Sequence, residues 1–340
     1  MGYKRVIITE FGDADVLKVV EEPELPEPGP GEVRVKVLTT CAAFTDVMIR
    51  RGKYPDVKEK PPFSPGYDMV GVVDKQGEGA TRFAVGRRVA DLTVIGACSE
   101  YIRLPESRLT AVPDGLDSAE AAAAILSYVT AYQMLHRVAR VRPGGRILIH
   151  GAGGAVGTAL IQLGRLIDLE IHGTASAAKH KLVADLGAIP IDYRSEDFVK
   201  TIRERTGDGV DAAFDPIGGE SFKKSFSALR KGGILVAYGF YNAVMSKGGS
   251  IPLDFLRLNL YKLTPNGRRA TFYSIGALRR KRPDWFAEDL AAIFDLLTAG
   301  RIRPVIADRV PMDDIRRAHQ RIESAEVQGK IVIRVAESAA

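Results

Sequence analysis

Apolar and polar residues alternate strictly in GEVRVKV (31–37), where Val33, Val35 and Val37 fall on one face and Arg34 and Lys36 on the other. A period of two predicts a half-buried strand, entered here from the turn-rich PEPGPG (26–31). MVGVV (69–73), RRVAD (87–91) and SEYIRL (99–104) repeat the theme in short pieces divided by glycine and charged turns. Short strands so punctuated suit a barrel-like β domain.

From DSAEAAAAILSYVTAYQML (117–135) onward the pattern changes, and helix-length stretches alternate with short apolar runs. These runs are RILIHG (146–151), EIHGTA (170–175), IPIDY (189–193), VDAAFDPIG (210–218), GILVAYG (233–239) and RATFYSIG (269–276). The alternation predicts βαβ units and a doubly wound parallel sheet. TALIQLGRL (158–166) and KHKLVADLGA (179–188) are helix candidates, the second stopped by Gly187. Another follows Pro283, where Phe286, Leu290, Ile293, Phe294 and Leu297 share a face before Gly300. RPVIADRV (303–310) and KIVIRV (330–335) return to β texture. Their most economical place is in the first domain, which makes the sheet domain an insertion.

Composition narrows the classes. A chain of 340 residues, 46% hydrophobic and 26% charged, exceeds what one core usually supports, so two domains are expected. Lys and Arg (48) outnumber Asp and Glu (42), but the excess is spread along the chain except at Arg279, Arg280, Lys281 and Arg282. No zinc-finger or RNA-binding motif accompanies that run, so it reads as a solvated face and no nucleic-acid partner is expected. Cys41 and Cys98 are too few for a disulfide framework, which fits a reducing compartment, with the cytoplasm as the default. The uncharged stretch from Ala121 to Leu135 is shorter than a bilayer span and reads as a buried helix, so no membrane span is expected. Neither G-x-S-x-G nor a phosphate-binding G-x-x-x-x-G-K-[ST] occurs, which disfavours esterase and phosphotransferase chemistry.

HGAGGAVG (150–157) lies between a predicted strand and a predicted helix, the context in which a glycine turn holds a dinucleotide. Ala152, Gly154 and Gly157 occupy the three fingerprint positions, so the first glycine is replaced. Gly154 allows the backbone to approach a pyrophosphate, Gly157 allows close helix packing, and Ala155 and Val156 open a helix whose free N–H groups face the phosphates. A turn needed only for tight packing is the plainer alternative.

These segments, with PGEVRVKV (30–37), IRRGKYP (49–55), PGYDMVGVV (65–73), LSYVTAYQML (126–135), IDYRSEDF (191–198), DPIGGESFKKSFSALRKGGILVAYG (215–239) and QGKIVI (328–333), run almost end to end in the order of one family. The chain resembles a zinc-free member of the medium-chain dehydrogenase/reductase superfamily, close to the NADPH-dependent quinone oxidoreductases and the branch of the synaptic vesicle membrane protein VAT-1. The resemblance implies an α/β fold, with a GroES-like β-barrel domain (1–124 and 302–340) and an inserted Rossmann doubly wound parallel sheet (125–301). It also implies a homodimer joined through the sheet edges.

The resemblance further implies NADPH as cofactor. An NAD site places an acid at the end of its second strand, whereas here that strand ends at Ser176, with Lys179 close behind and Tyr193 at the end of the third strand. Glu170 opens the second strand, at its far end. Ser176, Lys179 and Tyr193 match positions that hold the 2′-phosphate in similar proteins, although Lys179 also reads as the start of an exposed helix. Ile217, Gly239, Phe240, Lys330 and Thr130 match cofactor-lining positions, and packing alone also explains Ile217 and Phe240.

No metal is expected. Where the zinc-dependent relatives carry ligands, this chain has Ala43 and Tyr67, with Leu126 and Ser127 near the third position. His136, His150, His172, His180 and His319 show no ligand-like pairing. Without a Lewis acid, alcohol oxidation is hard to drive, whereas hydride delivery to a quinone or α,β-unsaturated carbonyl needs only stabilisation of the developing oxyanion. Tyr54, Thr130, Ser127 and Tyr128 are the candidate hydroxyls, each tyrosine equally readable as a wall residue. Relatives carry Asn and Tyr where this chain has Ala43 and Met48. That loss leaves a second reading, an NADPH-binding protein that acts through partners or membranes with little turnover. The stretch from Met245 to Arg282 reads equally as a lid or as an interface segment.

Overall fold

The computed structural model describes residues 2–245, 250–261, 263–264 and 267–336. Part of the segment expected to be a lid or interface (246–249, 262 and 265–266) thus lies outside the described residues. The chain divides into two compact units, Met1–Val129 with Asp284–Ala340, and Thr130–Pro283.

In the first unit, β1 (Tyr3–Ile8) and β2 (Leu17–Glu22) form an antiparallel hairpin. β3 (Glu32–Ala42) is the longest strand, and Val33, Val35 and Val37 are fully buried as their alternation predicts. Its opposite face is covered too. Arg34 is only 9% exposed, its Nε 2.5 Å from Asp74 Oδ2 and its Nη1 3.2 Å from Glu27 Oε1. A strand inside a sheet has neighbours on both sides, and Arg34 is accommodated by carboxylates rather than by open water. The helix Phe44–Arg50 follows, then β4 (Met69–Gln76), β5 (Arg88–Asp91), β6 (Tyr101–Pro105) and the short β7 (Thr110–Ala111). β4 and β6 pair antiparallel with β3, β5 pairs with β4, and β7 with β5.

The second unit contains all six strands expected from the apolar runs: β8 (Arg146–His150), β9 (Glu170–Ala175), β10 (Ile189–Asp192), β11 (Val210–Asp215), β12 (Leu229–Ala237) and β13 (Arg269–Phe272). They form one parallel sheet in the order β10-β9-β8-β11-β12-β13. The order reverses between β8 and β11, which opens a crevice at the carboxyl ends of these strands, where ligands bind in such sheets. Leu148, Ala213, Phe214, Leu235 and Val236 are fully buried in the central strands, as near-continuous apolar runs require when both faces are covered.

The chain then returns to the first unit. β14 (Ile306–Pro311) pairs with β15 (Lys330–Arg334), and β15 runs antiparallel to β3. The insertion expected from the texture is therefore present. The divisions fall at 129/130 and 283/284, whereas the sequence reading placed them at 124/125 and 301/302. The helix Pro283–Thr298 buries Phe286, Leu290, Ile293, Phe294 and Leu297 as its periodicity predicts. Nearly all of it groups with the β unit, although the helix–strand alternation continues unbroken up to it. No helix of the described residues is long and apolar enough to cross a membrane.

Candidate functional site

The glycine turn joins β8 to the helix Ala155–Arg165. Gly151, at φ +67°, takes the left-handed conformation of the turn, so Ala152 need not, which explains how alanine replaces the first fingerprint glycine. Gly157 is needed for contact: a β-carbon there would come within 2.7 Å of Ala152 Cα. Gly154 occupies the N-cap position without a side-chain cap, and the first intrahelical bond runs from Thr158 N–H to Gly154 O. The N–H groups of Ala155, Val156 and Gly157 therefore precede the helical ladder, and with the helix dipole they make a cradle for an anion.

Around that cradle the second strand ends without an acid. Asp192 of β10 registers with Ala175 of β9, so Ser176 and Tyr193 leave the sheet as neighbours. Ser176 is half-buried and Tyr193 is exposed. Lys179 lies across the turn, where a β-carbon on Gly153 would meet its Cδ at 2.8 Å. Arg194, which sequence reasoning did not single out, places its guanidinium 5.8 Å from the centre of the Tyr193 ring. Glu170 sits at the other end of β9 and bonds His172 Nε2 at 2.7 Å. The donor set therefore fits a pyrophosphate with one further phosphate on the ribose.

Behind the cradle lies a polar network whose members the sequence reading missed or took for packing. His150 ends β8, its Nδ1 3.0 Å from Thr174 Oγ1 and its Nε2 2.9 Å from Ser225 Oγ. Ser225 and Ser221 donate to Asp215 Oδ2 at 2.6 and 2.7 Å, while Asp215 Oδ1 accepts the Ile217 N–H at 2.7 Å. Burial lowers the pKa of His150 despite the nearby Asp215, so the ring is neutral. The Ile217 loop is also fastened to the next segment, because Tyr241 and Asn242 donate their N–H groups to Pro216 O and Ile217 O. Gly239 lies against Pro216, and a β-carbon there would come within 2.9 Å of Pro216 O. Phe240 is buried and stacked on Phe272 at 4.9 Å, so its ring serves the core of this unit.

Thr130 is buried in the second unit, and Ser127 and Tyr128 are buried in the first. The first unit also holds Tyr54, half-buried, whose hydroxyl is hydrogen-bonded to that of the fully buried Tyr67. Nearby, Asp46 Oδ2 accepts the Ala43 N–H at 2.9 Å and Oδ1 the Gly66 N–H at 3.3 Å. Burial, with the charge of Asp68, raises the Asp46 carboxyl to about 7. Lys330 is buried with its ammonium 3.4 Å from Asp68 Oδ2, an internal ion pair that the sequence reading did not foresee. Burial opposes its charge, but Asp68, Cys41 and Asp46 outweigh burial and hold its pKa above the ordinary value. Burial pushes the Cys41 and Cys98 thiols well up, so neither is a ready nucleophile. Among the described residues no three His, Cys, Asp or Glu side chains gather to hold a metal ion.

Two family models match, an alcohol dehydrogenase GroES-like domain over residues 29–114 and a zinc-binding dehydrogenase over residues 186–333. A synaptic vesicle membrane protein VAT-1 homolog of Danio rerio is 30% identical over 97% of this chain and 70% of its own. A 2-haloacrylate reductase of a Burkholderia species is 31% identical over 93% of this chain and 94% of its own. Among solved structures, the Escherichia coli quinone oxidoreductase complexed with NADPH superposes with a TM-score of 0.88 at 27% identity, covering 97% of this chain and 99% of that one. The chain belongs to the zinc-free, quinone-oxidoreductase-like family of the medium-chain dehydrogenase/reductase superfamily.

Proposed function

We propose that the chain is a zinc-independent, NADPH-dependent reductase that acts on quinones or α,β-unsaturated carbonyl compounds. The observation that carries this reading is Lys179 lying over the glycine turn at an uncapped helix N-terminus, with no acid at the end of the second strand. A neighbour solved with NADPH and a relative named for reducing a 2-haloacrylate, itself an α,β-unsaturated acid, support it.

In this reading the N–H groups of Ala155, Val156 and Gly157 bind the pyrophosphate, with Gly154 allowing its approach. Ser176, Lys179 and Tyr193 hold the 2′-phosphate. Ile217, Gly239, Phe240 and Thr130 line the remainder, whereas the Lys330 ammonium is committed to Asp68. Bound there, the cofactor supplies a hydride to an electron-poor carbon. The chain contributes hydroxyls from Tyr54, Ser127 and Thr130 to the oxyanion that develops on the acceptor. Ala43 and Tyr67 offer no ligand set for a metal that would stabilise it instead. Ala43 and Met48 also remove polar contacts, which favours bulky apolar acceptors and modest rates.

The protein acts as a homodimer in this account. β13 pairs on one side only among the described residues, and Leu253, Leu256 and Leu260 are exposed along the helix Ile251–Tyr261. Its free buried cysteines accord with the reducing cytoplasm. Absorbance of NADPH followed against a panel of quinones, enones, aldehydes and alcohols tests the reading. Oxidation with quinones or enones is expected. Tight NADPH binding with no oxidation above background overturns the reductase and favours a binding protein.

A further inference from the structure

We propose that His150 is a positioning residue for the cofactor. Its ring, fixed as the Nε2–H tautomer, carries a one-way chain of hydrogen bonds from Thr174 through Ser225 to Asp215 and so holds the glycine turn and the Ile217 loop in one arrangement. This deepens the cofactor part of the reading above and rests on it.

The direction of the chain follows from its contacts. Ser225 Oγ stands 2.6 Å from Asp215 Oδ2 and 2.9 Å from His150 Nε2, and it has a single proton to give. Turned to the ring, that proton would leave two oxygens facing each other through lone pairs at 2.6 Å. Turned to the carboxylate, it makes a charge-assisted bond and leaves Ser225 Oγ as an acceptor, which a proton on Nε2 then fills. Ser221 Oγ donates to the same Oδ2 at 2.7 Å and Ile217 N–H to Oδ1 at 2.7 Å, so Asp215 is engaged as an acceptor at both oxygens. A neutral imidazole protonated at Nε2 has its lone pair at Nδ1, and Thr174 Oγ1, 3.0 Å away, donates to it. Burial keeps a second proton off the ring, and Phe198 meets it edge to face with centroids 4.7 Å apart. His150, Thr174, Ser225 and Asp215 are each at most 3% exposed, so bulk water does not compete for these groups.

The two ends of the chain are the segments that meet the cofactor. His150 and Ala152 flank Gly151, the left-handed residue of the turn, and Thr174 holds both: its hydroxyl reaches His150, and its carbonyl accepts the Ala152 N–H at 3.0 Å. Gly151 O accepts the Gly154 N–H at 2.9 Å, so the start of the helix that presents the phosphate cradle is set from the same point. At the other end Asp215 fixes the Ile217 N–H, and Ser221 and Ser225 tie it to the helix Glu220–Ala228. His150 and Asp215 end β8 and β11, the strands between which the sheet order reverses, so the chain spans the switch point. Bonds that all run one way reinforce each other, because a group that accepts one hydrogen bond becomes a stronger donor of the next.

The test uses Thr174→Val, Ser225→Ala and their combination, with Thr174→Ser as the conservative control. In 15N-histidine-labelled protein without cofactor, NMR should find His150 protonated at Nε2 and bare at Nδ1, and Ser225→Ala should release that preference. A proton on Nδ1 in the wild type overturns the chain, as does an unmoved ring signal in Ser225→Ala. In fluorescence titrations each single variant should weaken NADPH and NADH by the same factor, about three- to tenfold, the worth of one hydrogen bond. The double variant should lose little more than either single one, because both break the same chain, and Thr174→Ser should bind as the wild type does. Wild-type affinity in both single variants, or costs that multiply in the double variant, overturns the positioning role. If the wild type binds neither cofactor, the cofactor reading and the positioning role fall together, while the ring signals decide the chain separately.

Discussion

Lys179 lies across Gly153, so close that a β-carbon on the glycine would stand 2.8 Å from the lysine Cδ and 3.1 Å from its Cβ. The turn that approaches the pyrophosphate thus also packs against the cation proposed for the 2′-phosphate. Lys179→Ala should weaken NADPH binding roughly 10- to 100-fold, the value of one charge-assisted contact, and leave NADH nearly unchanged. Gly153→Ala should push the lysine aside and give a smaller loss in the same direction. Fluorescence titration with each cofactor measures both, and equal losses for NADPH and NADH contradict the assignment.

Asp215 joins three segments through one carboxylate. Its Oδ1 holds the Ile217 loop, while its Oδ2 takes the hydroxyls of Ser221 and Ser225. Ser225→Ala removes a partner from both His150 and Asp215 in a buried place and should cost about 1–3 kcal/mol of stability. Asp215→Ala should in addition speed hydrogen exchange at the Ile217 amide, which a change confined to the core would not do. Urea unfolding and amide exchange read the two effects separately.

Much of the second unit was legible because its pattern is redundant. Six apolar runs, a glycine turn and Gly187 at φ +94° each mark boundaries that agree with one another. The turn's use of Gly151 in place of a glycine at 152 was not legible, since the pattern specifies residue types and not which one takes positive φ. Nor was the polar network, because His150, Asp215 and Ser225 come from distant segments and carry no spacing rule. Arg34 misled the strand reading for a related reason. Alternation reports which face meets the core but not whether the other face is covered by Asp74 and Glu27.

His319 gives the stability of the first unit a pH dependence. Its Nδ1 lies 3.5 Å from Arg50 Nη1, and burial, with the Arg50 charge, lowers its pKa from 6.5 to about 3. The unfolded chain takes up the proton first, so this contribution is fully present above about 6.5 and is lost as pH falls toward 3. The limiting slope is about 1.4 kcal/mol per pH unit. Asp46 has the opposite sign, since a carboxyl raised to about 7 contributes most below 3.8 and loses its contribution as pH rises through 7. Thermal unfolding between pH 3.5 and 6.5 should show a flatter acid limb in His319→Gln than in the wild type. An identical slope rules the histidine out.

Metal content offers an independent check. At the two positions where the resemblance implies zinc ligands in zinc-dependent members of the superfamily, Ala43 offers only a methyl group and Tyr67 a hydrogen-bonded phenol, neither of which replaces Cys or His. Elemental analysis of the purified protein should find no stoichiometric zinc, and a chelator should leave the rate of enone reduction unchanged. One zinc per chain whose removal abolishes activity contradicts this.

Hydride delivery to an activated double bond is the central claim, and isotope transfer tests it most directly. An enone is incubated with the protein and NADPH deuterated at the transferring face of C4, and the product is read by NMR and mass spectrometry. The account predicts one deuterium at the β-carbon, with the hydrogen gained at the α-carbon coming from water. No reduced product from any enone or quinone, or a product whose β-carbon carries no label, would contradict it.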